Sequence, residues 1–351
     1  MKRKTLAAGA ALAAAVSLVS ACNNDGGSGG GGTGGKVVGL DYPRSDTDFW
    51  NSYIKYVPQF AKQDGLELKT TNSENDIAKL AANVQTLIGQ GVKGVVLAPQ
   101  DTAAVAPTLA QLKQKKIPVV TVDTRPDNGD VYMVVRADNR AYGLKACKFL
   151  GDTLKGKGKV AMLEGDLASI NGRDRTDAFN QCMKQSYPAI KVIGLATEWK
   201  GDVGANKLQT TLAANPDLNG IYMQAGGAFL APTLNVLKQK GRLVPPSDAK
   251  HIAIVSNDGI PEELKAIAAG QIDATVSQPA DLYAKYALFY VKAAVNGQKF
   301  APGKTDHGSV IVAPRPGVLE DQLPAPLVTK GGAYPGSLKE TDPQLWGNQI
   351  K

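Results

Sequence analysis

A series of short, continuous apolar runs separated by amphipathic stretches sets the fold class of this chain. The runs fall at 37–40, 94–98, 119–122, 160–163, 192–196, 220–223, 252–255 and 274–276. Strands buried on both faces of a parallel sheet read in this way, whereas half-exposed strands alternate apolar and polar residues. Helical stretches lie between them, at 77–90, 103–115, 141–154, 174–185, 204–214 and 228–240. Gly91, Gly241 and Gly270 stand where helix C-caps are expected, and Pro261 where a first-turn proline fits. The strand–helix pattern occurs twice. The expected fold is α/β, two doubly wound parallel-sheet lobes.

The first 35 residues do not belong to that pattern. Lys2, Arg3 and Lys4 precede an apolar run at 6–19 that ends Leu18-Val19-Ser20-Ala21-Cys22. A run of this length is short of the about 20 apolar residues needed to cross a bilayer, so 1–21 reads as an export signal peptide. The Val-Ser-Ala-Cys ending resembles a bacterial lipobox, which implies that Cys22 becomes the mature N-terminus and carries lipid. Residues 22–35 form a Gly-rich tether that cannot build a core. The body is thus expected outside the cytoplasm, held to a membrane through its lipid anchor.

Composition narrows the function. Apolar residues make up 43% and charged residues 21%, as in soluble globular proteins. The formal charge of +8 includes the three cations of the signal peptide, and the rest is spread along the chain. With no basic block interleaved with aromatics, nucleic-acid binding has no support. The two histidines are far apart, and neither Cys-x-x-Cys nor His-Glu-x-x-His occurs. Neither a metal nor a cofactor is expected. Asp123, Glu164, Gln224, Asn257-Asp258 and Gln278 each close an apolar run, which is where ligands bind in open α/β sheets. Together they indicate a binding cleft.

Several segments, in order, resemble the bacterial periplasmic sugar-binding proteins of the ribose-binding type, partners of ABC importers and relatives of the lactose-repressor ligand core. They are Asp46-Thr47-Asp48-Phe49-Trp50, Ile117-Pro118-Val119-Val120-Thr121-Val122-Asp123, Ala137-Asp138-Asn139, the stretch from Gly172-Arg173-Asp174-Arg175 to Phe179, Val255-Ser256-Asn257-Asp258-Gly259 and Ala274-Thr275-Val276-Ser277-Gln278. The resemblance implies the periplasmic binding protein type I fold, its lobes joined by a three-strand hinge. The crossings would fall near Ala137-Asp138, Gln278-Pro279 and His307-Gly308. One lobe would then be 36–137 plus 279–306, and the other 138–278 plus 307–351 including the tail.

The resemblance also carries a ligand set. Phe49 and Trp50 in one lobe and Trp199 in the other would stack on a sugar. Asp123 and Asp258 would accept from its hydroxyls, Arg173 would donate, and Gln278 would touch it from the hinge. Thr47, Arg125 and Asn257 join the set, with Arg44 and Arg136 as further candidates at the cleft. A sugar or polyol suits such residues independently, because aromatic faces cover its C–H faces while Asp, Asn, Gln and Arg match its hydroxyl rim. Ala225-Gly226-Gly227 departs from the family, where asparagine is common, so backbone N–H groups would replace a side-chain contact. In the family the helices bearing Cys147 and Cys182 flank one strand, and export favours a disulfide between them.

The expected protein is a monomer that captures a monosaccharide or polyol and delivers it to an ABC permease. A receptor presenting a sugar or furanosyl autoinducer to a signalling partner is the alternative. An exported hydrolase would need a paired-carboxylate arrangement or a Gly-x-Ser-x-Gly between a strand and a helix; the match at Gly26-Gly27-Ser28-Gly29-Gly30 lies in the Gly-rich tether, so no enzymatic activity is expected.

Overall fold

In the computed structural model, which describes residues 36–350, the apolar runs become strands of two sheets. The signal peptide, the tether and Cys22 lie outside the described residues. The first lobe is built from β1 (Lys36–Tyr42), α1 (Asp48–Asp64), β2 (Leu66–Asn72), α2 (Ile77–Gly89), β3 (Val95–Leu97), α3 (Ala106–Gln114), β4 (Val119–Val122) and β5 (Met133–Ala137). Its strands pair in parallel in the order β2-β1-β3-β4-β5. After α4 (Asn139–Thr153) the pattern recurs. It runs through β6 (Lys157–Glu164), α5 (Ile170–Ser186), β7 (Ala189–Ala196), α6 (Gly201–Ala214), β8 (Gly220–Met223), α7 (Gly226–Gln239), β9 (Ala253–Asp258), α8 (Pro261–Ala268) and β10 (Ala274–Ser277). These strands are again parallel, in the order β7-β6-β8-β9-β10.

The two orders are the same. In each sheet the direction of winding reverses beside the first strand, between β1 and β3 and between β6 and β8, which is where open α/β sheets leave a crevice for a ligand. The strands owe their place to burial: Val95, Val96 and Leu97 of β3 and Ile221, Tyr222 and Met223 of β8 are all fully buried. Helix starts are fixed by side chains that accept orphan N–H groups, including Thr47 for α1, Asp138 for α4 and Ser169 for α5.

The remaining chain serves both lobes. Helix α9 (Ala280–Val295) packs on α1, and β11 (Gly303–Lys304), β12 (Val310–Arg315) and β13 (Val318–Leu323) extend the first sheet beyond β5. Next β14 (Leu327–Thr329) and β15 (Leu338–Lys339) extend the second sheet beyond β10, followed by the one-turn helix α10 (Trp346–Gln349). The chain therefore changes sheets after β5, after β10 and after β13. The third crossing expected at His307-Gly308 is corrected to Pro324-Ala325-Pro326, because β13 hydrogen-bonds to β5 with Glu320 opposite Val134. The reason for the difference is buried charge. Glu320 and Asp321 are both fully buried, Glu320 pairing with Arg125 at 2.7 Å and Asp321 accepting from the Tyr290 hydroxyl at 3.1 Å. Carboxylates in a strand suggest surface in a sequence; here partners compensate their burial.

Helices α4 and α5 pack side by side, and a disulfide joins Cys147 to Cys182 across them, with Cα atoms 6.2 Å apart. The bridge closes a loop with a sequence separation of 35. Replacing both cysteines by serine is expected to destabilise the body by about 3–4 kcal/mol in the chain-entropy picture, read from chemical denaturation with and without reductant. An unchanged midpoint in the double variant would remove the bridge from the stability account.

Candidate ligand-binding cleft

Loops from the carboxyl ends of both sheets meet between the lobes. The first lobe contributes Arg44 and Thr47 from the β1–α1 loop, Phe49 and Trp50 from the first turn of α1, Gln100 after β3 and Asp123 after β4. The second contributes Asn171 and Arg175 from α5, Trp199 after β7, Ala225 and Ala228 around the start of α7, and Asp258 at the end of β9. Gln278, at the second crossing, completes the lining. The first lobe thus supplies two aromatic residues and the second one, and each supplies one buried carboxylate.

Three of these residues hold uncommon backbone conformations. Asp123 (φ 66°), Trp199 (φ 59°) and Asp258 (φ 117°) all lie at positive φ. Aspartate tolerates this region; tryptophan does so rarely, and such strain persists only where the surroundings enforce it. The turns aim all three side chains back into the cleft lining.

Arg175 is the centre of the polar network. It is 2% exposed. Its Nε donates to Asn139 Oδ1 at 2.6 Å, one terminal nitrogen to Gln278 Oε1 at 2.6 Å, and the other to the Gln224 carbonyl. Its guanidinium carbon lies 5.0 Å from the Tyr142 ring centroid and 5.6 Å from that of Trp199, a cation–π arrangement. Asp123 accepts from Asn171 Nδ2 at 2.9 Å and from Gln278 Nε2 at 3.2 Å. Asp258 accepts from the Gly227 backbone N–H at 2.8 Å, at the N-terminus of α7. Burial pushes both carboxyls above the usual aspartate range, and Arg175 opposes the shift in each. The aromatic wall is ordered edge to face, with Phe49 and Trp50 centroids 5.3 Å apart and Trp50 and Tyr53 5.4 Å apart.

Several residues expected in the ligand set are elsewhere. Arg173 is not in the lining; it spans the cleft rim, reaching Asp127 at 2.6 Å and Thr102 Oγ1 at 3.1 Å on the first lobe. Two residues along a helix turn the side chain by about 200°, so Arg173 and Arg175 face opposite ways. The sequence carried the signal: position 175 shares a face with Asn171, Phe179 and Cys182, all buried. Arg125 turns away to pair with Glu320, because the left-handed turn at Asp123 sends it towards β13. Asn257 is fully buried and donates to the Tyr222 hydroxyl at 3.0 Å; adjacent strand residues point to opposite faces, so only Asp258 enters the cleft. Thr47 does line it, while also capping α1 through Trp50 N–H. Arg136 is buried behind the lining and holds Asn171 Oδ1 at 2.7 Å. Asn171, Gln100 and Arg175 are lining residues that sequence reasoning did not select.

Two lobes closing on a polar cleft with aromatic walls make a small-solute receptor. A family profile described as a periplasmic binding protein domain matches residues 38–299, and the chain belongs to that family, in its ribose-binding type. This is a family of substrate-binding proteins, not of enzymes. The chain is 30% identical over 241 residues to the xylitol-binding protein of Mycolicibacterium smegmatis, the match covering 68% of this chain and 66%, just under two thirds, of that relative. It is 26% identical to the ribose import binding protein of Bacillus subtilis, over 75% of this chain and 82% of that one. Among solved structures, an ABC transporter solute binding protein from Mycobacterium smegmatis with bound glycerol superposes with a TM-score of 0.70 at 27% identity. That match covers 76% of this chain and 91% of the other.

Gly226, at the start of α7, packs closely against Glu263. The Glu263 carboxylate, fully buried, accepts from Gly259 N–H at 2.6 Å and Ile260 N–H at 3.1 Å. A Cβ on Gly226 would lie 2.1 Å from Glu263 Oε1. Gly226→Ala is expected to cost about 1–3 kcal/mol of stability, measured by urea denaturation. A wild-type midpoint would show that the carboxylate yields freely.

Proposed function

We propose that this chain captures an uncharged monosaccharide or sugar alcohol between its lobes and delivers it to an ABC importer. The observation that carries the reading is the cleft itself, where Phe49, Trp50 and Trp199 meet Asp123, Asp258 and Arg175. Ring faces suit the C–H surface of a polyhydroxy ligand, and the carboxylates and guanidinium suit its hydroxyls. The relatives named for xylitol and ribose point the same way. Charge argues for a neutral ligand. Two buried carboxylates oppose one guanidinium in the lining, Arg44 is paired with Asp46 and Arg136, behind the lining, with Asp174, leaving no surplus cation among the described residues of the cleft for a phosphate or sugar acid. On the same reading Cys22 carries the lipid that holds the body at a membrane surface, and the chain acts as a monomer. Cys22→Ser should move the protein from the membrane to the soluble fraction.

Thermal unfolding with D-ribose, D-allose, xylitol, erythritol and myo-inositol tests the ligand class. A true ligand at a hundred times its dissociation constant adds about 2.7 kcal/mol of stability. If none of them shifts the transition while a sugar phosphate does, the neutral-ligand reading falls.

Arg175→Ala should weaken binding of the best ligand by roughly a hundredfold or more, since it strands Gln278 and removes a buried donor. Arg173→Ala, which only loosens the rim, should cost less than about tenfold. Calorimetry that ranked the two the other way would reinstate Arg173 as the ligand contact.

Affinity should also depend on pH. The ligand hydroxyls donate to ionised Asp123 and Asp258, whose carboxyls burial holds above their usual range. Protonation removes those acceptors, so affinity is full above the raised values and declines as pH falls through them. Burial pushes Asp258 up to about 7, so the decline should begin near neutral pH, well before pH 5, where ordinary carboxylates are still ionised. Constant affinity down to that pH would show that the acceptors are not titrating.

A further inference from the structure

We propose that Trp346, outside the cleft, is a positioning residue for the ligand site and straps the two lobes in the closed arrangement. The inference rests on the cleft being the ligand site. Trp346 is 2% exposed, although it does not line the cleft. Its indole N–H donates to the Asp258 carbonyl at 3.2 Å, so it fixes the backbone of the residue whose carboxylate faces the cleft. Its ring meets Phe49, a cleft-lining residue of the first lobe, edge to face at 6.0 Å between centroids. Its carbonyl accepts from the Tyr56 hydroxyl of α1 at 3.4 Å.

The segment bearing Trp346 is fastened to the second lobe. Strand β15 pairs with β14 of the second sheet, and α10 packs on α8. The fit is close: a Cβ on Gly347 would lie 2.4 Å from the Gly259 carbonyl oxygen, so the strap presses on the turn that follows Asp258. From this base Trp346 reaches across to α1. Ile350, four residues on, lies in the groove between α1 and α8 with Asp48 and Lys55 on one side and Glu262 and Lys265 on the other. One side chain therefore touches an aromatic wall residue of one lobe and the carboxylate-bearing turn of the other. Separation of the lobes breaks the contacts to Phe49 and Tyr56 and keeps those to Asp258 and Gly259. The strap thus favours closure and slows ligand escape.

Wild type, Trp346→Ala, Trp346→Phe and Tyr56→Phe are compared by calorimetry and stopped-flow, with xylitol and D-ribose as probes. Trp346→Ala should raise the dissociation constant roughly tenfold or more, chiefly through faster dissociation. Trp346→Phe keeps a ring against Phe49 and loses the N–H donor, so it should fall between the two, at roughly threefold. A folded Trp346→Ala protein that binds within twofold of wild type overturns the proposal, as does a loss confined to the association rate. If Trp346→Ala does not fold, Tyr56→Phe decides: faster dissociation supports the strap, and an unchanged rate overturns it. If wild type binds neither probe, the choice of sugars has failed and amide exchange of the ligand-free protein decides instead. Faster exchange in α1 as well as α8 in Trp346→Phe supports the strap; a change confined to α8 overturns it.

Discussion

The buried guanidinium of Arg175 is the contact on which the arrangement of the cleft depends. Among the described residues, its hydrogen bonds go not to a carboxylate but to an amide oxygen on α4, a backbone carbonyl at the end of β8 and the hinge glutamine. A cation held by neutral oxygens keeps its full charge available to its surroundings. That charge opposes the burial of Asp123 and Asp258, which desolvation alone would drive further towards their neutral forms. The same side chain bonds Gln278, so one guanidinium ties the charge balance of the cleft to the geometry of one hinge crossing.

Contacts between the lobes continue outward from that centre. Asn171 on the second lobe bonds Asp123 on the first, and Arg136, at the end of β5, holds Asn171 from behind. Arg136 in turn lies 3.1 Å from Asp174 and 3.8 Å from Glu320, which also binds Arg125. Breaking one partner of such a buried ionic chain leaves a charge without compensation, so its members act as a unit. The rim bond of Arg173 to Asp127 is more exposed, with side chains 32% and 29% accessible, and is a weaker, adjustable contact.

The fold was legible in the sequence because parallel strands buried on both faces leave short continuous apolar runs, and here these alternate regularly with amphipathic helical stretches. Cleft residues that end such runs, Asp123, Asp258 and Gln278, were legible for the same reason. The errors have a common origin in side-chain direction. Arg173 and Arg175 are both arginines in one motif, and only the helical phase tells them apart; Asn257 and Asp258 differ only by the alternation of a strand. Arg125 depends on a left-handed turn that its neighbours do not announce. The crossing at His307-Gly308 came from the resemblance, whereas the pairing of β13 with β5 goes with partners distant in sequence, Arg125 for Glu320 and the Tyr290 hydroxyl for Asp321. Long-range compensation of this kind leaves no local pattern.

The closing stretch of chain completes both sheets, β13 beside β5 and β14 beside β10. Each lobe is therefore discontinuous, and a chain made from its N-terminus cannot finish either sheet until its last strands have emerged. Until then β5 and β10 present open, apolar strand edges to the solvent, the kind of surface that recruits other chains. Folding dominated by such distant pairings is slow, because the loop must close before the contact rewards it. The order of synthesis thus opposes the order of assembly, and the interval between them is when this protein is most exposed to aggregation and to any factor that shields unpaired strands.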